Sequence, residues 1–538
     1  MKSKLFFVLV IVSQFCQAQI ELEHSYDDEL VTRVNLEFSG DKYYFFRRAT
    51  NDLILFNGDH TIWKTIPILA PPPTSFTSTN LIHISEAKFN NDSNLEIVYS
   101  YYDSTQLTFI TKVYSEDGAV LATLDDSLSI VFSEIEGLAD KLIAVSNDLA
   151  RSKVYSLPDL SLEHSYSGGT ISRVKLDVSG EKYCLLDKNA GVERIYNSDH
   201  TVWKTIALSA PAGAIYLNAV MISETAINVD ELIEIGYNYY TSAATGPNYH
   251  GNIVNENNHV LLSVPNATSF QINDLDGLEK KMMVTVRTPS PRSHSDVYQI
   301  PGLVLEHSYP SVVNRTVLEN SGEKYYSVSD LSTSVINIYN SDHTIWKTIP
   351  IDLENDFSSY QIFVDFITES KVSIDPLLEV GYSSWYYSPL MFTEFHSRIL
   401  NENGLTYLDL PFAQHLILSE FTSLPRKVIG IINIPDAFED TPNFSTKIYS
   451  LDPFMNTNDF ENETTILAPN PASTCVSINS QSPIFEVEIY DIRGIPVQQV
   501  SGENIIKVHL ERLSSGIYFL HLKNVEGVIS VQKIVVSQ

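Results

Sequence analysis

Cysteine is nearly absent from this chain: there are three in 538 residues, and the first, Cys16, falls in the apolar leader. Cys184 and Cys475 alone make no disulfide framework, so packing rather than crosslinks must hold the molecule together. Basic residues are also scarce, with 35 Lys and Arg against 66 Asp and Glu and a net charge of −31. A charge of that size repels nucleic acid and anionic membrane surfaces, which excludes both as partners. Beyond the leader no run approaches the roughly 18 apolar residues of a membrane span, so no transmembrane segment is expected. HExxH, a Walker loop, a GxSxG elbow and paired CxxC are all missing. No long stretch carries helical period; short alternating runs of β-branched and aromatic residues do recur, which makes the chain all-β.

Residues 1–18 have the form of a signal peptide. Lys2 and Lys4 give a basic start, LFFVLVIV (5–12) an apolar core, and Cys16-Gln17-Ala18 a cleavage site before Gln19. Ser13, Gln14 and Phe15 do not supply the Leu and small residues that a lipoprotein needs ahead of its cysteine. Removing the leader takes away two lysines and no acids. An exported, soluble, strongly acidic product is expected.

The dominant signal is internal repetition, which sets the fold before any motif does. LEHSY occurs at 22–26, 162–166 and 305–309. A decapeptide follows each: NGDHTIWKTI from Asn57, NSDHTVWKTI from Asn197 and NSDHTIWKTI from Asn340. The spacings are 140 and 143 residues for both landmarks, so three copies (about 22–161, 162–304 and 305–453) fill residues 19–453. Each copy divides into three groups of about 45 residues, close to the period of a four-stranded propeller blade. The expectation is a β-propeller-like ring of three repeats. It has nine blades if every group is one blade, and six or seven if some merge. The third copy lacks a closing LEHSY, and the mature chain begins with a spare one. Pairing the two would hide both sheet edges.

The decapeptide places His, Trp and Asp side by side, as a catalytic centre would. Yet a site is built once, and this segment is built three times. The reading is a blade's turn and strand: Asp59-His60 in the turn, then Ile62, Lys64 and Ile66 on one face and Thr61, Trp63 and Thr65 on the other.

Residues 454–465 form a polar linker. The last segment, 466–538, is a compact β-sandwich by its alternation. It carries Pro469-Asn470-Pro471-Ala472, then Ile489-Tyr490-Asp491 with Gly494, then Leu513-Ser514-Ser515-Gly516-Ile517-Tyr518, and last Lys533-Ile534-Val535-Val536. In order and spacing these blocks resemble the type A C-terminal sorting domain of the type IX secretion system of Bacteroidota, over about 464–538. The resemblance implies that Pro469, Asn470, Pro471, Gly494, Gly516, Tyr518 and Lys533 belong to a sorting signal read by the type IX machinery. It also implies that the domain is removed after export and the cargo is secreted or held at the outer cell surface. It implies nothing about what the cargo does.

Three features invite a chemical reading. Asp92 and Glu96, repeated as Asp230 and Glu234 and as Asp375 and Glu379, faintly resemble calcium loops. Apolar residues at ligand positions favour a turn capped by Asp instead, so no cofactor is assigned and calcium is the one ion the pattern admits. Glu86, Glu224 and Glu369 recur ten residues earlier in their loops, and threefold recurrence argues against a glycosidase pair. The tyrosines of Tyr99-Ser100-Tyr101-Tyr102 and Tyr237-Asn238-Tyr239-Tyr240 read as sheet packing before sugar stacking. No catalytic residue is assigned. The expected function is a non-catalytic extracellular binding protein for a glycan or protein ligand. The alternative is a polysaccharide-degrading enzyme with its site in the propeller funnel, whose mark would be a cluster of acids or histidines that does not repeat.

Overall fold

Short strands of alternating burial, separated by Asn-Gly, Asp-Gly and Ser-Gly turns, pair with their nearest neighbours in sequence and build antiparallel meanders. The computed structural model describes residues 20–47, 49–68, 80–90, 92–146, 148–243, 246–288, 293–328, 335–351, 360–373, 377–387, 393–421, 424–434, 443–451, 466–468, 470–479, 483–491, 496–502, 504–524 and 529–537. The signal peptide and linker lie outside them, as do Asp375, Pro469 and Gly494. All named elements are strands, and the chain divides into two compact units, 1–452 and 453–538.

The first unit contains nine four-stranded sheets. Sheets one to eight span 32–67, 80–125, 129–167, 171–207, 215–265, 267–309, 314–350 and 360–411, each with its strands in chain order. Sheet nine is made of Ala413–Ser419, Lys427–Ile434, Asn443–Leu451 and, on its outer edge, the first strand of the chain, Ile20–Tyr26. Ile20 pairs with Leu451 and Tyr26 with Thr446. The spare LEHSY strand therefore occupies in sheet nine the place that Leu162–Ser167 and Val304–Tyr309 occupy in sheets three and six.

Each buried cluster lies between two consecutive sheets. Leu53 and Ile66 of sheet one pack on Ile97 and Tyr99 of sheet two. Clusters of the same kind join every following pair up to Ile399 and Leu410 of sheet eight against Leu416 and Val428 of sheet nine. A further cluster sets Ile429 and Ile448 of sheet nine, with Tyr26, against Tyr43, Phe45 and Ile54 of sheet one. The sequence of contacts thus returns to its start. Burying one such side chain contributes about 1.5–3 kcal/mol, and nine seams of this kind replace the crosslinks that the chain lacks.

The decapeptide strand departs from simple alternation. Ile62 is 66% exposed whereas Ile66 is 5% exposed, although alternation puts them on one face. The cause is a β-bulge: Leu55 pairs with Lys64 but Phe56 pairs with Ile62, which leaves Trp63 as the extra residue. The indole is flanked by two ammonium groups, with Lys42 Nζ 4.9 Å and Lys64 Nζ 4.3 Å from its ring centre. Trp203 and Trp346 repeat the bulge and the flanking lysines.

In the second unit, a three-stranded sheet (Ile466–Ala468, Cys475–Asn479, Lys507–His509) and a four-stranded one (Pro496–Ser501, Ile484–Asp491, Gly516–Asn524, Ile529–Val536) share one core. That core includes Val476, Val487, Ile489, Leu520 and Ile534. Cys184 and Cys475 are both free thiols.

Candidate functional site

The repeated histidines are assembled into seams between sheets. His60 sits in its turn at φ 66°, and Asp59 Oδ1 accepts from the Thr61 N–H at 3.0 Å. Its ring stacks on His24 of the LEHSY strand, centroids 4.4 Å apart, and its Nδ1 bonds the Tyr26 hydroxyl at 2.7 Å. Glu23 Oε1 lies 3.3 Å from Nε2, and Glu23 also pairs with Lys427. His200 repeats this arrangement with His164, Tyr166 and Glu163, and His343 with His307, Tyr309 and Glu306. Burial holds all three turn histidines below the usual imidazole range. Each seam is the edge strand of one sheet fastened to a turn of the next through the histidine Nδ1 and the tyrosine hydroxyl.

The other recurring acids are also committed. Glu86 accepts from the Phe38 and Ser39 N–H groups at 2.8 Å and from the Ser39 hydroxyl, binding sheet two to sheet one. Glu224 and Glu369 do the same for Ser179 and Ser321. Asp92 Oδ1 accepts from the Asn94 N–H at 2.8 Å, and Asp230 Oδ1 from Leu232 at 3.0 Å, so these acids cap turns. Tyr99, Tyr101, Tyr237 and Tyr239 are buried.

A constellation that does not repeat lies where sheets eight and nine meet. Asp365 is the bulged residue between Val364 and Phe366, and its side chain is 7% exposed. Its Oδ2 accepts from the Leu416 N–H at 3.1 Å and from the Ser383 hydroxyl. Its Oδ1 lies 3.2 Å from His415 Nδ1. Burial raises the Asp365 pKa, while these three partners oppose the rise. Opposite an ionised carboxylate, which only accepts, Nδ1 is the donor of the imidazole and Nε2 is the ring nitrogen turned away from Asp365. The imidazole is 39% exposed. Trp385 and Phe363 flank it, with ring centres 5.2 and 5.8 Å away, and Trp385 Nε1 donates to the Gln414 carbonyl at 2.9 Å. Phe363 also lines an open cleft of about 440 Å³ with Asn314, Tyr326, Val328, Ile362 and Val364. Nearby in sheet eight, Asp409 joins His396 at 2.5 Å and Arg398 at 3.0 Å.

The registers of the three copies show what changed. Phe363 stands where the others have Asn80 and Asn218, and Asp365 where they have Ile82 and Val220 at the same bulge. Trp385 faces Phe395 as Tyr240 faces Tyr249 and Tyr102 faces Phe109. His415 matches Ser269 by its place two residues past the buried alanine. Reading the repeats for likeness missed this site. The signal was present in SSWYY (383–387), where the other copies read SYY and NYY.

Of the sorting-signal residues, Asn470 is the most engaged: its Nδ2 donates to the Lys533 carbonyl at 2.8 Å and its Oδ1 accepts from Val535 N–H at 2.9 Å. Pro471 follows it, exposed. Gly516 opens the strand Gly516–Asn524 opposite Val536, and the Tyr518 hydroxyl donates to the Ser514 carbonyl at 2.9 Å. The first and last blocks are thereby brought together.

No curated protein matches this sequence. Among solved structures, the chain is similar to the dihydro-heme d1 dehydrogenase NirN (9% identity, TM-score 0.34, 58% of this chain and 64% of that one). It is also similar to BamB from Moraxella catarrhalis (9%, 0.32, 69% and 98%) and to the β-propeller domain of the Trilobed protease from Pyrococcus furiosus (10%, 0.27, 60% and 97%). Likenesses at these scores carry no argument about activity. The C-terminal unit differs in this respect: residues 467–537 match the secretion system C-terminal sorting domain, and with that domain the chain is an exported, cell-surface cargo of the type IX secretion system.

Proposed function

We propose that residues 19–453 form a nine-bladed β-propeller of three repeats. The signal peptide 1–18 takes it across the inner membrane and 466–538 across the outer one. Once outside, it is a non-catalytic binding protein whose ligand, a glycan or a neighbouring protein, docks at the junction of sheets eight and nine. The observation that carries this reading is the Phe363–Trp385–His415 group, which the first two copies lack; Phe363 also borders an open cleft on the sheet-seven side of sheet eight. Aromatic faces with an adjacent acceptor suit ring-bearing, hydroxyl-rich partners. The acidic chain makes nucleic acid an unsuitable ligand.

The Asp365–His415 pair favours a second reading, in which His415 Nε2 acts as a general base on an extracellular polysaccharide. One experiment separates the two. A glycan array and a polysaccharide-digestion screen are run on the full chain and on Trp385→Ala and His415→Ala. Binding without turnover, lost in Trp385→Ala, supports the binding protein. Turnover lost in His415→Ala supports the enzyme. Binding unchanged in both variants rejects this junction as the site.

A further inference from the structure

Sheets seven and eight meet at the third copy of a seam that the chain also builds between sheets one and two and between sheets four and five. In the first two copies large side chains fill it. Leu186, Tyr216 and Tyr239 pack between sheets four and five, and Phe46 and Tyr101 between sheets one and two. In the third copy Val328 stands opposite Ile336 as Phe46 stands opposite Leu53 and Leu186 opposite Glu193. Ile362 pairs with Ser384 as Tyr216 pairs with Tyr239. Bulk is lost on both sides of the seam, and the open cleft of about 440 Å³ is lined there by Val328 and Ile362. Large-to-small changes in a packed seam are destabilising unless the neighbours collapse into the space. Here the space stays open, which gives a ligand room.

We propose that this cleft binds a short neutral saccharide; the proposal rests on the binding reading above and adds to it the charge of the glycan and a second place where it lies. The lining holds no Asp, Glu, Lys, Arg or His, in a chain with 66 acids. Its polar members include Ser311, Asn314 and Tyr326, beside apolar Val328, Ile362 and Phe363. Apolar and aromatic walls receive the C–H face of a sugar ring, and amides and hydroxyls, which donate and accept, pair with its hydroxyls. The volume falls within the range of small-molecule sites. An anionic glycan finds no cation in the cleft and is repelled by a net charge of −31. A basic peptide finds no acid there and many elsewhere on the surface. Phe363 is shared with the next junction, since it borders the cleft and its ring centre lies 4.7 Å from that of Trp385.

The test is isothermal titration calorimetry on the full chain with cellotetraose, mannotetraose and maltotetraose as neutral probes and tetragalacturonate as the anionic one. A neutral probe is expected to bind the parent and tetragalacturonate is not. Val328→Phe restores the side chain that the first copy has at this place and should abolish binding with no loss of melting temperature. Asn314→Ala, at an exposed position, removes a polar partner and should weaken binding; where the phenyl ring disturbs the fold, this variant decides alone. If no neutral probe binds, if tetragalacturonate binds more tightly, or if both variants bind as the parent does, the inference is overturned. Trp385→Ala separates that failure from failure of the binding reading. Loss of binding in Trp385→Ala with parent-like Val328→Phe and Asn314→Ala places the glycan at sheets eight and nine alone, so the binding reading stands and the cleft is rejected. Loss in Val328→Phe with parent-like Trp385→Ala upholds the cleft and rejects the other junction.

Discussion

Acidification should loosen the three histidine seams, and the size of the effect follows from their geometry. In the folded protein His60, His200 and His343 are nearly out of water, with 7–10% of the side chain exposed, and each faces a second imidazole 4.4–4.9 Å away. Charging both members of a stack sets two like charges about 4.5 Å apart, worth about 4 kcal/mol of repulsion at an effective dielectric of 20. Desolvation acts in the same direction and is the larger cause. A group whose folded pKa is depressed binds fewer protons when folded than when unfolded. Its stabilising contribution is full above the unfolded value near 6.5 and is lost as pH falls toward the folded value. In that window each histidine costs about 1.4 kcal/mol per pH unit, and three together about 4 kcal/mol.

The raw melting curve does not isolate this effect. Burial pushes Glu96, Glu193 and Glu234 up to about 8. Carboxyls held neutral by the fold have the opposite sign: they favour the native state at low pH and lose that contribution as pH rises from the ordinary carboxylate range to 8. Between about pH 4.5 and 6.5 three such acids offset three such histidines. The measurement is therefore a difference between the parent and the triple variant His60→Asn, His200→Asn, His343→Asn, since Asn tolerates the left-handed turn. Melting temperatures are followed by near-UV circular dichroism from pH 7.5 to 5. The parent should lose stability relative to the variant as pH drops below 6.5, and each single variant should remove about a third of the loss. Parallel curves would refute the reasoning.

Two further outcomes follow from packing. Removing residues 20–26 strips sheet nine of its outer strand and Tyr26 from its seam, so the unpaired Asn443–Leu451 edge should promote aggregation; an unchanged melt with a monodisperse product would contradict it. Gly381→Ala places a methyl 2.4 Å from the Phe366 ring, and overpacking of this kind costs about 1–3 kcal/mol; a variant with the parent's melting temperature would show that the ring moves aside freely.

The architecture was legible because the same packing problem is solved three times. Two landmarks at constant spacing gave the repeat, and the spare LEHSY strand indicated which edges had to meet. The number of sheets was open, because periodicity cannot tell one large sheet from two small ones; the turns and the nine seams decide it. Alternation failed at Ile62, since a bulge inserts one residue and reverses the faces, and nothing in Thr-Ile-Trp-Lys announces it. The buried state of Glu96 was likewise hidden. A carboxylate beside a polar turn reads as solvated, and only the strand that begins there draws it inward.

The junction of sheets eight and nine illustrates a different limit. Repetition makes identical residues conspicuous, and function can reside where a copy departs from the others. At the bulge in the first strand, Ile82 packs between sheets in the first copy; an acid there is costly unless something holds it, and in the third copy Ser383, the Leu416 N–H and His415 all do. A substitution to Asp at a buried bulge, with three partners supplied from two sheets, is difficult to account for as packing alone. The imidazole it orients is the one histidine contact in the first unit that combines a buried carboxylate with a half-exposed ring and two aromatic neighbours among the described residues.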